Sequence, residues 1–474
     1  METVKNRTRV IKSGCILLAL LVFFLGMLAA CGVGVYNDSE QYITMHIHRE
    51  PLYPLFLALF RTIWADGYLT VAAAVQNVLT AVGIWLFAGY VAAHFHLRLW
   101  EELLVVLLQL VPHLMTRYVS ALHIFLENSV MSEALCIPLF HFFLYFLLRM
   151  LFGRRRRDAV LSLLFAFLLS MTRGQMMTTI LMWMVIVCLE ILRQKKYRML
   201  LIPVAAVLLT FGLRSLTIHV YNFGVTGYFM GNTYAQVNTL TNVIYACDEE
   251  DGEVFAAGSL EREFFDRFYA EADAGKMNYK YGGSTLAERA AHLEAYHDEL
   301  KFRVLEADLS AYFFSLGKVD YYQQSSMSDE LAGRMIAGLL PACFGQWLYD
   351  YILLCVHGFI RSIAVVHPVV NWIAAVLYAF AVGLAVQRAL HGKRRSDMCV
   401  TDASSQDAGC VQGRSSQDAA WVMGTALLFI VANVCATSIT IMCLSRYMIY
   451  GFSIFYTAMF LLVREKWSIS RGRV

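Results

Sequence analysis

Ten apolar stretches occupy most of this 474-residue chain, at roughly 14–35, 68–93, 99–119, 129–150, 158–172, 175–192, 199–219, 369–389, 421–444 and 447–463. A helix needs about 20 apolar residues to cross a bilayer. Runs of this length and apolarity read as membrane spans. The expected fold is therefore an all-α polytopic membrane protein with about ten transmembrane helices. Composition agrees, because 58% of the residues are hydrophobic and 16% are charged, against about 25% charged in soluble domains.

Basic residues set the expected orientation. Lys5, Arg7, Arg9 and Lys12 precede the first run, Arg98 follows the second, Arg154 to Arg157 the fourth, and Arg193 to Arg198 the sixth. Lys393 to Arg395 follow the eighth and Arg464 to Arg473 the tenth. If the runs simply alternate, all of these fall on one side, which the positive-inside rule makes cytoplasmic. Both termini are then cytoplasmic. The apolar run 347–366 would break this order if it crossed, and it carries Asp350, His357 and Arg361. It is read as a helix lying in the outer interface.

Three regions follow. Residues 1–220 form an N-terminal transmembrane module whose first outer loop is 36–67. Residues 221–345 form an acidic extracytoplasmic segment, with nine Lys and Arg against nineteen Asp and Glu. Residues 346–474 comprise the interfacial helix and the C-terminal spans, joined by a cytoplasmic loop, 396–420, in which Ser-Ser-Gln-Asp occurs twice. That polar loop is expected to be disordered.

The outer segment reads as folded. Thr285 and Glu288 have capping-box spacing, followed by Leu286, Ala290, Leu293, His297, Leu300 and Val304 at helical intervals. Phe264, Phe265, Phe268 and Tyr269 suggest a second helix. The acidic balance outside gives no nucleic-acid surface, and the basic runs inside are topology signals. Of eleven cysteines only Cys247 and Cys343 lie in this segment, and no Cys-x-x-Cys or Cys/His metal spacing occurs. Leu28-Ala-Ala-Cys31-Gly matches a lipoprotein signal, but a first transmembrane helix with small residues near its end accounts for the same letters.

The chemistry concentrates in Tyr36-Asn-Asp-Ser-Glu-Gln-Tyr-Ile-Thr-Met-His-Ile-His-Arg-Glu-Pro-Leu-Tyr-Pro54. Directly after the first span it places Asp38, Glu40, His46, His48 and Arg49. Charges beside a bilayer are costly unless they face a cavity or one another, so they mark a functional site. Asp38 with Gln41 also has capping-box spacing, which gives Asp38 a structural role as an N-cap. Glu40 reads equally as a solvated residue, and Arg49 as an anchor that reaches the headgroups. A His-x-His pair on a helix does not readily grip one ion. Three further positions fall on the same side of the expected topology: Glu133 at the start of the fourth span, Arg173 between spans five and six, and Arg446-Tyr447 between spans nine and ten.

Asp-x-Glu followed by Arg-x-Pro-x-Tyr-Pro resembles the first extracytoplasmic loop of GT-C membrane glycosyltransferases, the group that includes protein O-mannosyltransferases and the lipid A aminoarabinose transferase. The resemblance covers the layout of about the first 220 residues and the closing Arg-Tyr span. It implies a sugar donor linked to polyprenyl phosphate, an extracytoplasmic hydroxyl acceptor in a cell-envelope glycan, lipid or protein, and inversion at the anomeric carbon. It implies Asp38 and Glu40 as catalytic residues, Asp38 acting as the base. His48, Arg49, Glu133, Arg173, Arg446 and Tyr447 become substrate-binding residues, and a divalent cation, Mg or Mn, can assist. The alternative from another class is a lipid or solute transporter or flippase in which the same charges line a path; a transporter places such groups nearer the midplane.

Overall fold

The computed structural model describes residues 2–118, 123–317, 319–401 and 408–470. Among them there is no β-strand, only an isolated parallel bridge between Gly34 and Ser129. The chain enters as α1 (Glu2–Cys31), and its first loop carries α2 (Ser39–Ile43) and α3 (Leu52–Ile63). Long helices follow: α4 (Tyr68–His94), α5 (Leu99–Tyr118), α6 (Ser132–Gly153), α7 (Arg156–Thr172), α8 (Thr178–Arg193) and α9 (Leu201–Thr226).

A second unit is built from α10 (Ala235–Tyr245), α11 (Leu260–Ala274), α12 (Leu286–Glu299), α13 (Ala307–Ser315) and α14 (Tyr321–Ala342). After α15 (Phe344–Ile363) the bundle is completed by α16 (Pro368–Thr401), α17 (Ala408–Thr440), the short α18 (Ser445–Met448) and α19 (Tyr450–Ser470).

Among the described residues, eight helices are long and apolar enough to cross a membrane: Val10–Cys31, Tyr68–His94, Leu99–Tyr118, Ser132–Gly153, Gly174–Arg193, Tyr197–Thr226, Pro368–Leu390 and Ser415–Thr440. They coincide with eight of the ten apolar stretches. The other two are α7, of 17 residues, and α19. Leu201, Leu209 and Trp372 are 77, 74 and 77% exposed on the outside of the bundle. Leaving such a side chain in water forgoes about 1.5–3 kcal/mol each, whereas a bilayer removes that cost. The protein is an all-α, multi-pass membrane protein.

Charged side chains gather at the two ends of the bundle. At one end Lys12 pairs with Glu102, Arg149 with Asp158 (3.3 Å), Arg464 with Glu101 (2.8 Å) and His94 with Asp418 (2.8 Å). These include the basic residues expected in the cytoplasm. Arg149–Asp158 at this end and Arg173–Glu133 at the other fix α6 and α7 antiparallel along their whole length. Likewise, α19 runs from Tyr450 beside the opposite cluster to Glu465, whose carboxylate accepts hydrogen bonds from Ser415 (2.6 Å) and Ser416 (3.3 Å).

These contacts fall at the end of the loop 396–420 expected to be disordered. The described part is helical: α16 runs on to Thr401 and α17 opens at Ala408, while 402–407 lie outside the described residues. Ala, Gln, Met, Lys and Arg favour helix, and the Ser415, Ser416 and Asp418 contacts hold the start of the α17 span.

The outer unit has its own core, in which Phe264, Phe265, Phe268, Leu293, Leu300 and Val304 are buried with Leu240 and Leu331. The capping box at Thr285 and Glu288 forms as expected, whereas Leu286, in the first turn, is 61% exposed. Cys247 and Cys343 are buried there as free thiols. Between the units, α14 and α15 meet at a bend of 102°. Cys343, just before α15, belongs to the outer core, while Arg361 near its far end bonds Glu294 of α12 and the Cys443 carbonyl. A helix of 20 residues spans about 30 Å, so α15 lies across this end of the bundle and does not traverse it. Gly358 allows this: a Cβ there would fall 2.8 Å from Cys443 Sγ and from Val434.

Candidate functional site

Backbone pairing brings the first loop to the start of α6. Gly34 donates to the Asn128 carbonyl (3.0 Å) and accepts from Val130 N–H (2.8 Å), which sets Asp38 near Glu133. The Asp38 side chain makes no capping bond to α2. Ser39 Oγ accepts the Tyr36 N–H instead (2.8 Å), and Gln41 Oε1 accepts from Arg49 Nε (2.8 Å). The expected capping box is thus replaced by ion pairing, because Arg49 turns back over the short helix and offers a stronger partner than a backbone amide.

From this loop a chain of alternating charges runs along the end of the bundle. Arg49 Nη2 is 2.9 Å from Asp38 Oδ1, and Arg446 Nη1 is 3.5 Å from Asp38 Oδ2. Arg446 Nε lies 3.8 Å from Glu133 Oε1, which receives Arg173 Nη1 at 2.7 Å. Three guanidinium groups face two carboxylates. The surplus positive charge suits an anion, and guanidinium matches phosphate oxygens in pairs.

Exposure separates the two carboxylates. The Asp38 side chain keeps 36% of its surface and Glu133 keeps 2%. Asp38 is the one a ligand can reach. Glu133, inside the start of α6, holds Arg173 and Arg446 in place.

Aromatic rings fix the arginines. The Tyr447 ring lies 4.3 Å from the Arg173 guanidinium and 4.9 Å from that of Arg446, and its hydroxyl accepts from Arg446 Nη2 (2.9 Å). The Tyr447 carbonyl accepts from Gln175 (3.0 Å) and Asn433 (3.1 Å), locking the turn before α19 to that before α8. Tyr42 does the same for Arg49, with the guanidinium 4.8 Å above the ring and the hydroxyl 3.0 Å from Ser132 Oγ. Arg173 spends Nε on Gln175 (2.8 Å) and Nη1 on Glu133, whereas Arg446 Nε has no hydrogen bond and its carboxylate contacts are long. Arg446 is the arginine best placed to turn towards a ligand.

The outer unit closes over this end. Lys301, in the π-helical turn Leu300–Glu306, is buried with its Nζ 3.5 Å from the Tyr234 ring. Burial lowers its pKa to about 8, against the opposing pull of Glu306 and Asp298, and Arg49 lowers it further. Arg49 and Asp38 both act on Lys301 electrostatically. His48 stacks on Tyr234 (4.5 Å) and joins Thr233 (2.9 Å) to Tyr321 (3.0 Å) through its two ring nitrogens. Burial, then His46 and Arg49, lower the His48 pKa to about 2, so this ring stays neutral.

Of the residues the sequence pointed to, Asp38, Arg49, Glu133, Arg173, Arg446 and Tyr447 are brought together. His48 belongs to the junction with the outer unit. Glu40 is exposed and stands outside the network. Sequence reasoning missed Tyr42, Ser132, Lys301 and Glu50. Lys301 falls four residues after His297 on the apolar stripe of α12, a position where a lysine reads as solvated until Tyr234 is seen above it. Glu50 pairs with Arg214 of α9, and burial raises its pKa to about 7.

A divalent cation does not fit the donor set. Asp38 and Glu133 already carry arginines, and among the described residues no group of three His, Cys, Asp or Glu side chains is arranged to hold a metal. Protein-family models, curated proteins and solved structures were compared with the chain, and none matches it.

Proposed function

We propose that this protein is an integral-membrane glycosyltransferase of GT-C type, with ten transmembrane helices, that moves a sugar from a polyprenyl-phosphate donor to an extracytoplasmic hydroxyl acceptor. The observation that carries this reading is the charge chain. Four elements far apart in sequence deliver Asp38, Glu133, Arg173 and Arg446 to one end of an apolar bundle, with an accessible carboxylate beside surplus guanidinium charge. A lipid-linked phosphate arriving from the bilayer meets positive charge there. The antiparallel courses of α7 and α19 support ten crossings, and the basic residues at the opposite end support cytoplasmic termini.

In the mechanism, the phosphate displaces Asp38 from the long contact with Arg446, whose fork takes phosphate oxygens. Asp38 Oδ2 is then free to accept the acceptor's hydroxyl proton while Arg49 continues to hold Oδ1. The acceptor oxygen attacks the anomeric carbon as the bond to phosphate oxygen breaks. The electron pair leaves with polyprenyl phosphate, whose growing charge Arg446 and Lys301 stabilise. Arg173 and Tyr447 act as positioning residues. No step is routed through a metal.

An assay of membranes with radiolabelled polyprenyl-phosphate sugars tests the reading. Label should pass into polymer, lipid or protein; movement of substrate across the bilayer without a new glycosidic bond would mark a transporter.

A further inference from the structure

Beside the charge chain, the outer unit and His48 form a half-open pocket of about 300 Å³, at the lower end of the range for small-molecule sites. Its lining combines two kinds of surface. Tyr234, Tyr321 and Phe302 present aromatic rings, and Glu306, Gln324 and Ser310 present polar groups. The Glu306 carboxylate is partly buried and faces the charge of Lys301, without a direct hydrogen bond to it among the described residues. Its oxygens, not spent on protein hydrogen bonds, can accept from the donors of a ligand.

We propose that this cavity is the acceptor subsite and that it takes a neutral sugar ring, a reading that rests on the transferase assignment. The two surfaces match the two faces of such a ring. Its C–H face lies against aromatic rings, and its hydroxyls donate to Glu306 and Gln324. The carboxylate in the lining disfavours phosphate, and one carboxylate is too few for a metal. His48 connects the cavity to the charge chain, since its ring lines the cavity while Arg49, the next residue, grips Asp38. Tyr234 is shared in the same way, with His48 on its ring and Lys301 3.5 Å from the ring centre.

Saturation-transfer NMR on the full chain in nanodiscs tests the subsite without any donor. The probes are glucose, mannose, galactose, N-acetylglucosamine and cellobiose, with tetramethylammonium as a cation control. At least one sugar should receive saturation, and Ser310→Trp, which fills the cavity, should abolish it. Glu306→Gln, which keeps the shape, should weaken binding about tenfold, the size expected for hydrogen bonds to a charged group. The proposal is overturned if no sugar is saturated, if only tetramethylammonium is, or if both variants bind sugar like the parent. The two readings separate cleanly. Sugar binding that both variants reduce, in a protein that transfers from no lipid-linked donor, keeps the saccharide site and removes the transferase. Transfer with an unchanged acceptor KM in both variants keeps the transferase and removes this subsite.

Discussion

The Arg446 guanidinium, just before the final helix, lies 3.5 Å from the Asp38 carboxylate in the first loop. A contact this long is easily exchanged for a phosphate, which makes Arg446 the most informative of the three arginines. Lysine keeps its charge but loses the fork, so Arg446→Lys should raise the donor KM roughly tenfold and Arg446→Ala by ten- to a hundredfold, the range for a charge-assisted hydrogen bond. Donor binding by Arg446→Ala membranes that matches the parent would reduce this residue to an anchor at the interface.

Tyr447 sits against both Arg173 and Arg446. Tyr447→Phe keeps the ring and should stay within about threefold of the parent in donor KM, whereas Tyr447→Leu removes two cation–π contacts of about 0.5–2 kcal/mol each and should raise KM several-fold more. Equal behaviour of the two variants would show that the hydroxyl, and not the ring, carries the effect.

Lys301 is charged below about pH 8 and neutral above it. Its help to the phosphate is therefore present below that pH and lost as pH rises through it. The kcat/KM profile for donor should fall above about pH 8, and Lys301→Arg, charged throughout, should extend the plateau by a unit or more. A limb that stays in place in Lys301→Arg assigns it to another group.

Topology is testable by thiol labelling in a background without native cysteines. Glu40 and Glu288 are exposed at the site end, and Arg154 is exposed at the other. Cysteines at the first two should react with an impermeant reagent in intact cells and one at Arg154 should not. Ser39 is unsuitable because it is fully buried.

Much of this arrangement was legible in the sequence, and the parts that were not share a physical cause. Long apolar runs fixed the bundle because their signal is local and strong, and membrane-embedded charges such as Glu133 stood out by their cost. Their partners did not, since pairing Arg446 with Asp38 depends on how distant helices pack. Asp38 read equally as a cap because short-range spacing cannot see Arg49 folding back over α2. Lys301 and the cavity needed the outer unit, whose helices were visible one by one but whose docking on the first loop rests on Tyr234, His48 and Tyr321 meeting from three elements. The helical course of the segment near 408–420 depends on Glu465 and His94, which no local pattern reveals.

The central claim is that Asp38 removes the acceptor's proton. Asparagine nearly preserves its size and, since the Asp38 side chain makes no cap bond, leaves α2 without a lost contact; the amide oxygen can still accept from Arg49. The measurement is transfer from a radiolabelled polyprenyl-phosphate sugar by membranes holding equal amounts of parent and Asp38→Asn protein, with donor binding measured alongside. The account predicts unchanged expression, donor binding within a few-fold of the parent, and transfer slower by about 10²–10⁴-fold, the usual worth of a general base. Transfer at the parent rate by Asp38→Asn would contradict it.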